Sequence, residues 1–454
     1  MGYLLQNGGL GMAGDWIITG GRPLQGRVEV PAAKNSVLPL LAAALLCSGP
    51  VRLQNVPRLT DVEDCLALLR GVGCTAGWQG AALAVQGQPM RTDLAPEAAG
   101  RMRASILFCA PLLARLGRVN TVLPGGCRIG ARPIDLHLQG LAQMGVRQLP
   151  AAPGQLTLYA PAGLRGAEIC LAFPSVGATE TLLLAAATAQ GQTVLHGAAK
   201  EPEIADLAAF LNACGGCVEG AGTDTIRVQG RRCLAGCTFA PMADRIIAST
   251  LACAAAAAGG RVELAGCAPG LYAPLLEILE QMGCTVERAN DAAAISRFGA
   301  LRGAGNVHTA PYPGLATDAA PLLAAVMLCA QGESSLQDRV FENRFACAGG
   351  FAALGANVRV AERTLYVQPA RALHGAKLTA PDLRGGAALV VAALAARGSS
   401  RLDGVELVRR GYAEFDRLLA GLGAQIWQEI PARRGLAKKT PMKKQFCLAI
   451  GAKK

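Results

Sequence analysis

The chain has 454 residues, of which 52% are hydrophobic and only 4% are aromatic. This length exceeds one ordinary core, so two large domains are expected, and the apolar share excludes a disordered chain. The formal net charge is +12, but residues 431–454 carry eight basic side chains and no acid, which leaves +4 for the rest. We therefore predict a solvated, disordered tail over 431–454. No pattern of aromatic stacking residues accompanies this basic tail, so it does not indicate a nucleic-acid-binding protein.

The N-terminal residues 1–14 lack the basic and apolar segments of a secretory signal. Apolar runs such as 246–258 and 387–396 are shorter than the roughly 20 residues that cross a bilayer, so they indicate buried helices. These features predict a cytoplasmic protein without a membrane span. The sixteen cysteines are then expected to be free thiols rather than a disulfide framework.

One group of cysteines has the spacing of a zinc ribbon: Cys214 and Cys217 are followed by Cys233 and Cys237. However, Cys214 occupies a position that Val, Met or Leu fills in the internal repeat of the chain. A buried cysteine behaves as a small hydrophobic residue. Packing is therefore the simpler interpretation, and no metal site is predicted.

The chain contains a sixfold internal repeat of about 70 residues, in which a helix ends at a glycine and a strand follows. These glycines fit left-handed helix C-caps. They are Gly73, Gly145, Gly215, Gly283, Gly355 and Gly423. A second, Ala/Leu-rich helix precedes each of these helices, and its pattern is that of a helix buried on all sides. The repeat predicts six α/β units in two pseudo-symmetric domains, with apolar helices at each centre and sheets facing outward.

A glycine-rich, basic loop interrupts the second unit around Cys127. The glycines within 125–130 permit backbone mobility and a close approach to a ligand. Arg128 and Arg132 surround the thiol with positive charge, which favours a reactive cysteine. Such a thiol can act as a nucleophile or as a proton donor. The alternative is a surface cysteine in an ordinary turn.

This loop resembles that of the UDP-N-acetylglucosamine 1-carboxyvinyltransferases, a family of enolpyruvyl transferases. The resemblance runs from about Gly20 to about Gln428. Further matching segments are 33–35, 102–106, 173–179, 201–204, 222–226, 312–314, 317–318, 341–345, 382–384 and 410–412. The resemblance implies a two-domain inside-out α/β barrel of six units, three per domain. Domain one would comprise 34–242, and domain two would comprise 1–33 with 243–430.

The resemblance also implies a reaction. The enolpyruvyl group of phosphoenolpyruvate would be transferred to the 3′-hydroxyl of UDP-N-acetylglucosamine, with release of phosphate. This is the first committed step of peptidoglycan synthesis, and it belongs to cell wall biogenesis, cell shape, the cell cycle and cell division. The scheme requires no metal and no organic cofactor, and Cys127 would be the target of fosfomycin. The two substrates are the expected partners, and the oligomeric state stays open.

Residue roles follow from the same resemblance. Cys127 would transfer a proton to C3 of phosphoenolpyruvate and Asp318 would be the general base, with Lys34 and Arg410 as further catalytic residues. The residues implied in phosphoenolpyruvate binding are Lys34, Asn35, Arg132, Arg384 and Arg410; arginine suits its oxyanions. Those implied in UDP-N-acetylglucosamine binding are Arg103, Arg132, Pro133, Ile134, Asp135, Leu136, Phe173, Pro174, Ser175, Val176, Asp318 and Val340. Glu342 and Arg344 would either brace the site or form a structural ion pair.

Several residues depart from the family pattern. They are Pro31, Ala32, Ala172, Ile247, Ser249, Leu407, Val408 and Arg409. These departures put in question the shape of the wall that domain two would form at the site. They leave open the alternative that the chain is a divergent, non-catalytic UDP-sugar-binding paralogue. A second alternative is 3-phosphoshikimate 1-carboxyvinyltransferase. That enzyme lacks this cysteine loop, and the segment 34–37 fits it poorly.

Overall fold

The computed structural model describes residues 14–126, 129–130, 133–370 and 372–429. It is a mixed α/β structure with many short sheets. In the part of the chain so described, no helix has both the length and the apolar character that crossing a bilayer requires. The predicted tail over 431–454 lies outside the described residues.

The described α-helices are numbered in chain order. They are α1 (Lys34–Ala43), α2 (Thr60–Gly71), α3 (Pro96–Arg101), α4 (Cys109–Leu116), α5 (Asp135–Gln143), α6 (Val176–Ala186), α7 (Pro202–Ala213), α8 (Arg245–Ala258), α9 (Ala273–Gln281), α10 (Ala320–Met327), α11 (Ala348–Ala353), α12 (Leu383–Ala395), α13 (Val405–Arg409) and α14 (Phe415–Gly421). Short 3₁₀ helices cover Ala44–Leu46, Arg103–Phe108, Pro269–Tyr272 and Thr317–Ala319.

The described strands are numbered in the same way. They are β1 (Asp15–Thr19), β2 (Leu24–Glu29), β3 (Val51–Leu53), β4 (Thr75–Gln79), β5 (Ala82–Gln86), β6 (Arg118–Val122), β7 (Arg147–Leu149), β8 (Gln155–Tyr159), β9 (Glu168–Cys170), β10 (Gln192–His196), β11 (Val218–Glu219), β12 (Thr225–Gln229), β13 (Thr238–Phe239), β14 (Gly260–Ala265), β15 (Thr285–Arg288), β16 (Ala292–Arg297), β17 (Leu301–Arg302), β18 (Gly305–His308), β19 (Ala330–Gln331), β20 (Ser334–Gln337), β21 (Asn357–Ala361), β22 (Thr364–Gln368), β23 (Lys377–Thr379), β24 (Ser399–Asp403) and β25 (Gln425–Glu429).

Five four-stranded sheets share one arrangement, in which a parallel pair at one edge is followed by two antiparallel pairings. Their orders are β13-β3-β5-β4, β9-β10-β12-β11, β2-β14-β16-β15, β18-β20-β22-β21 and β23-β24-β1-β25. A sixth sheet, β6-β8-β7, has a single parallel bridge between Asp93 and Asn120 at the corresponding edge. The N-terminal strand β1 pairs with β24 and β25, so it lies within the last sheet of the chain.

The buried side chains form two hydrophobic cores. The first core lies between Ala32 and Leu234 and contains α1, α4 and α6. The second combines 16–30 with 247–426, and in it α8, α10 and α12 pack against one another. Small Ala side chains dominate these helices and allow their close packing. In α8, for example, every side chain from Arg245 to Ala257 is buried.

The six glycines predicted to end helices all have a positive φ, between 86° and 108°. This is the left-handed conformation that a glycine C-cap adopts, so the predicted helix ends are confirmed.

The chain crosses between the two cores twice, at 31–33 and at 242–244, and these two segments lie side by side. The Ala33 backbone N–H donates to the Met242 carbonyl over 2.7 Å, and that of Asp244 donates to the Pro31 carbonyl over 2.8 Å.

Candidate functional site

A cleft of about 490 Å³ is lined by side chains from both cores. The lining residues come mainly from the starts of helices and from the loops that precede them. Lys34 and Arg103 come from the first core's side, and Arg245, Asp318 and Arg384 come from the second core's side. Residues far apart in sequence therefore meet at this cleft.

The buried helices begin at this cleft. Lys34 opens α1, Val176 opens α6 and Arg245 opens α8, and all three residues line the cleft. Asp318 precedes α10, and Arg384 lies in the first turn of α12. A helix N-terminus presents unpaired N–H groups and a partial positive charge. Several such ends at one cleft favour an anionic ligand, such as one that carries phosphate groups.

Lys34 and Arg410 meet at one carboxylate, that of Asp61 in the first turn of α2. The Lys34 Nζ lies 2.7 Å from Asp61 Oδ2, and the Arg410 Nε lies 2.9 Å from Asp61 Oδ1. Burial raises the pKa of Asp61, but the charges of Lys34 and Arg410 outweigh it and hold that pKa below its usual value. Asp61 is therefore ionised at neutral pH and balances one of the two cations.

Asp318 lies between two guanidinium groups. The Arg344 Nη2 donates a short hydrogen bond to Asp318 Oδ1, and the Arg384 Nη2 lies 3.6 Å from Asp318 Oδ2. Burial raises the pKa of Asp318, but Arg384 and Arg344 lower it well below its usual range. Arg344 also donates from Nε to the Thr317 carbonyl over 2.7 Å. This carboxylate is consequently ionised at neutral pH and can accept a hydrogen bond from a hydroxyl group, since 28% of its side chain is exposed.

Aspartate caps hold two of the cleft's arginines in place. Asp244 Oδ1 accepts from the first backbone N–H groups of α8, and Asp382 Oδ1 does the same for α12. An N-terminal aspartate cap of this kind stabilises a helix by about 1 kcal/mol. The capped helices present Arg245 and Arg384, and Arg384 stacks 5.3 Å from the Tyr412 ring centroid. The Arg384 Nη1 is buried and has no hydrogen-bond partner among the described residues. It is available to an anionic ligand.

Other residues that line the cleft are less deeply buried. Phe173 is 48% exposed, and Ser175 caps α6 by accepting from the Ala178 N–H over 3.4 Å. Val340 lies on a segment that the buried Asp338 fixes, because Asp338 Oδ1 accepts from the Val340 N–H over 2.8 Å. An exposed aromatic ring beside backbone N–H groups suits a ligand with both an apolar face and phosphate groups.

Two carboxylic acids in the cleft have raised pKa values, which favour their neutral, protonated forms. Burial, together with Glu203 and Glu201, raises the pKa of Glu180 well above its usual value. Burial also raises the pKa of Glu201, whose Oε2 is buried without a hydrogen-bond partner among the described residues. Glu203 instead pairs with Arg245, whose Nε lies 3.0 Å from Glu203 Oε1. Both shifts favour the protonated form of the acid, which can donate a hydrogen bond to a ligand.

Most of the side chains predicted from the sequence line this cleft. They are Lys34, Asn35, Arg103, Pro133, Asp135, Leu136, Phe173, Pro174, Ser175, Val176, Asp318, Val340, Arg384 and Arg410. Ile134 is not among the lining residues; it packs against the first core instead. Cys127 and Arg132 lie outside the described residues. The catalytic and binding roles of all these residues stay predictions.

The described residues next to Cys127 reach both sides of the cleft. A Cβ at Gly126 would lie 3.3 Å from the backbone nitrogen of Arg103. Across the cleft, the Asn343 N–H donates to the Ile129 carbonyl over 2.9 Å, and a Cβ at Gly130 would collide with Glu342 Oε2. Glycine at 130 therefore permits this close approach between the loop and the segment that contains Glu342.

None of the residues that depart from the family pattern is among those that line the cleft. Pro31, Ala32 and Ile247 line a small separate cavity of about 10 Å³, near the two chain segments that join the cores. Arg409 donates to Gln428 Oε1 over 2.9 Å and stacks over the Trp16 ring, 5.7 Å from its centroid. The replacement that precedes Arg410 in sequence thus points towards β1 and β25 rather than into the cleft.

Of the four cysteines with zinc-ribbon spacing, Cys214 packs in the first core and is 1% exposed. Its Sγ lies 3.2 Å from Cys237 Sγ, whereas Cys233 is exposed and donates to the Leu234 carbonyl. In the ranges that the structure covers, no group of three or more His, Cys, Asp or Glu side chains could hold a metal ion. All fourteen cysteines within those ranges are free thiols, as predicted.

Asp61 and Glu180 line the cleft, but no sequence motif identifies them. Asp61 lies in the first turn of an amphipathic helix, where an acidic residue is ordinary because of the helix dipole. The sequence feature that could have identified Asp61 is its position on the helix. Asp61, Asp64 and Leu68 share one helical face at spacings of three and four residues, and all three are buried. An acid on an apolar face needs a partner.

The chain is similar to known proteins over most of its length. The sequence profile of EPSP synthase (3-phosphoshikimate 1-carboxyvinyltransferase) matches residues 18–419. A protein of Nitratidesulfovibrio vulgaris named UDP-N-acetylglucosamine 1-carboxyvinyltransferase is 42% identical over 414 residues, which covers 91% of this chain and 99% of that protein. A protein of Maricaulis maris with the same name is 43% identical over 413 residues, covering 90% of this chain and 97% of that protein.

Solved structures are similar as well. The enolpyruvyl transferase NikO from Streptomyces tendae has a TM-score of 0.81 and 27% identity, and the match covers 91% of this chain and 99% of that chain. An EPSP synthase from Acinetobacter baumannii has a TM-score of 0.71 over 92% of this chain and 100% of that chain. At 19% identity, this second match shows the fold alone.

Proposed function

Since this chain belongs to the EPSP synthase family of enolpyruvyl transferases, we propose that it transfers the enolpyruvyl group of phosphoenolpyruvate to the 3′-hydroxyl of UDP-N-acetylglucosamine. The observation that carries the proposal is the meeting of Lys34, Arg384 and Arg410 with Asp318 in one cleft. The acceptor follows the relatives that are 42–43% identical to the chain. The 19% identity to an EPSP synthase gives no comparable support for shikimate 3-phosphate.

We propose that phosphoenolpyruvate binds to Lys34, Asn35, Arg132, Arg384 and Arg410. Its phosphate and carboxylate need several cations, and planar guanidinium groups can contact two oxygens at once. The buried and unpartnered Nη1 of Arg384 supports this assignment. UDP-N-acetylglucosamine would bind beside Phe173, Ser175 and Val340, where an aromatic face and helix N–H groups suit a uridine diphosphate.

In the proposed reaction, the 3′-oxygen attacks C2 of phosphoenolpyruvate while C3 gains a proton, which gives a tetrahedral ketal. Asp318 accepts the hydroxyl proton, and Cys127 supplies the proton to C3. Loss of phosphate and of one C3 proton then gives the enolpyruvyl ether. Because Arg344 and Arg384 keep Asp318 weakly basic, it would take up the proton fully only as the hydroxyl oxygen attacks. No metal or organic cofactor enters these steps.

The proposal extends to architecture and to cellular role. Six similar sheets and two cores support an inside-out α/β barrel of six units, with domain one at 34–242 and domain two at 1–33 with 243–430. The reaction would be the first committed step of peptidoglycan synthesis in the cytoplasm. It would thereby serve cell wall biogenesis, cell shape, the cell cycle and cell division.

The test is release of inorganic phosphate from phosphoenolpyruvate, measured with UDP-N-acetylglucosamine and, separately, with shikimate 3-phosphate. We expect release with the UDP-sugar only. Pre-treatment with fosfomycin and UDP-sugar should abolish release and add one adduct at Cys127, as read by peptide mass. Release with shikimate 3-phosphate alone would reassign the acceptor. Binding of UDP-sugar without any release would indicate the non-catalytic paralogue.

A further inference from the structure

We propose that Asp61 is a positioning residue for the phosphoenolpyruvate site, because its carboxylate holds the cations of Lys34 and Arg410 together at the cleft. This inference rests on the proposed function and deepens it. It assigns to Asp61 an effect on the affinity for phosphoenolpyruvate that acts through Lys34 and Arg410 rather than through contact with the ligand.

The geometry joins the two cores at one carboxylate. Asp61 and Lys34 both belong to the first core's side, on α2 and α1, whereas Arg410 follows α13 on the second core's side. Asp61 Oδ2 lies 2.7 Å from the Lys34 Nζ, and Asp61 Oδ1 lies 2.9 Å from the Arg410 Nε. Asp61 is only 3% exposed, so solvent hardly screens these contacts. The pairing fixes where Arg410 lies relative to Lys34.

The charges explain why such a residue is needed. Two cations at one buried point repel each other, and this repulsion is stronger than in water because the surroundings are less polar. The carboxylate of Asp61 offsets the repulsion while the three groups together keep a net charge of +1. The site therefore stays attractive to an anion, and its two cations stay in place before the ligand arrives. Such preorganisation lowers the cost of binding.

A neighbouring residue provides a matched control. Asp64 lies one turn further along α2 and is 6% exposed. It accepts from the Arg101 Nη2 over 2.6 Å, and it does not line the cleft. Asp61 and Asp64 are therefore two buried acids on one helix, each paired with arginine, of which only Asp61 contacts the two cations at the cleft.

The experiment compares Asp61→Asn, Asp61→Glu and Asp64→Asn in the phosphate-release assay, with KM measured separately for each substrate and with Tm. For Asp61→Asn we expect KM for phosphoenolpyruvate to rise between about tenfold and a hundredfold. KM for the UDP-sugar should change less than about twofold. Asp61→Glu restores the charge and should recover part of the affinity. Asp64→Asn should lower Tm and leave both KM values near those of the wild type.

A double-mutant cycle separates positioning from general damage. If Asp61 acts through Arg410, the effect of Asp61→Asn on KM for phosphoenolpyruvate should shrink in an Arg410→Lys background, since coupled residues are not additive. Additive effects, or a parallel rise of both KM values, would overturn the proposal. Should Asp61→Asn not fold, the cycle uses Asp61→Glu, and an unchanged KM there also overturns it. A wild-type chain without activity refutes the proposed function instead.

Discussion

Asp318 combines two properties at the scale of the single residue. Its carboxylate is ionised because Arg384 and Arg344 lower its pKa well below the usual range. The same two guanidinium groups make it a weak base and fix its orientation. Arg344 is 2% exposed and also donates to the Thr317 carbonyl, so it cannot follow the carboxylate if that moves. Arg344 thus sets both the charge and the position of the proposed base.

Replacing Arg344 should therefore change the pH dependence of the reaction. In Arg344→Gln, only the charges of Arg384 and Arg245 still lower the pKa of Asp318, so this pKa rises. The ionised fraction is then lost at a higher pH as the solution is acidified. Where Asp318 sets the acid limb of the profile of kcat/KM against pH, we expect that limb to lie at a higher pH in Arg344→Gln than in the wild type. Phosphate release measured between acidic and neutral pH tests this.

Arg344→Lys is the control for this shift. It keeps the charge but loses the fork that reaches both Asp318 and Thr317. We expect an acid limb close to that of the wild type together with a lower kcat. If Arg344→Gln instead lowers kcat equally at every pH, Arg344 acts on geometry alone.

The sequence identified some of these residues better than others. Lys34, Asp318 and Arg410 lie in segments that match a known family, so resemblance could select them. Asp61 lies in a helix whose first turn favours acids in any case, so its type carried no special information. Its importance comes from where Lys34 and Arg410 lie in space, and spacing along the chain does not encode that distance.

At the scale of the element, two surface helices approach the buried helices closely at glycine. A Cβ at Gly140 in α5 would lie 2.6 Å from Leu182 Cδ2, and one at Gly350 in α11 would lie 2.5 Å from Leu389 Cδ2. Both glycines stand five residues before a C-cap glycine of the repeat. They belong to the second unit of each predicted domain. The two halves therefore use the same contact at equivalent positions.

The helix α11 allows a direct test, because two adjacent glycines differ in their surroundings. Gly350→Ala should destabilise the protein by about 1–3 kcal/mol, since its methyl group must displace the buried Leu389. A methyl group at Gly349 would meet no other atom within 4 Å. Gly349→Ala should be stabilising by about 0.5 kcal/mol, because alanine loses less backbone entropy in a helix. Thermal unfolding of both variants measures the difference. Equal effects would mean that α11 can shift away from Leu389.

The repeat predicted the helix ends but not how the strands pair. The left-handed glycines lie where local backbone chemistry requires them, so the sequence alone could identify them. The parallel edge strands, such as β13 beside β3, join residues almost 190 positions apart. Nothing in a strand of two residues specifies such a partner. That choice depends on which helices pack beneath the sheet.

At the scale of the whole molecule, buried polar contacts join the two cores across the cleft. Glu203 accepts from Arg245, and Asp61 accepts from Arg410. Both acids are the second residue of a surface helix, α7 or α2, and both arginines come from the second core's side. The Asp244 Oδ2 adds a third contact by accepting from the backbone N–H of Lys34 over 3.1 Å. The sequence shows which residues are charged. Which acid pairs with which arginine depends on how the two cores pack against each other.

The buried pair of Arg245 and Glu203 should matter far more for stability than a similar exposed pair. Both its side chains are less than 10% exposed, at 9% and 3%. Glu203→Gln leaves the guanidinium buried without its counter-charge, so the free energy of unfolding should fall by about 3–5 kcal/mol. Arg288 and Glu280 form a matched pair with two contacts of 2.7 Å, but they are more than a third exposed. There Glu280→Gln should cost less than about 1 kcal/mol, since water already screens the charges. Urea unfolding of the two variants measures both losses of unfolding free energy. Equal losses would mean that solvent or a neighbouring acid such as Glu201 balances the charge of Arg245.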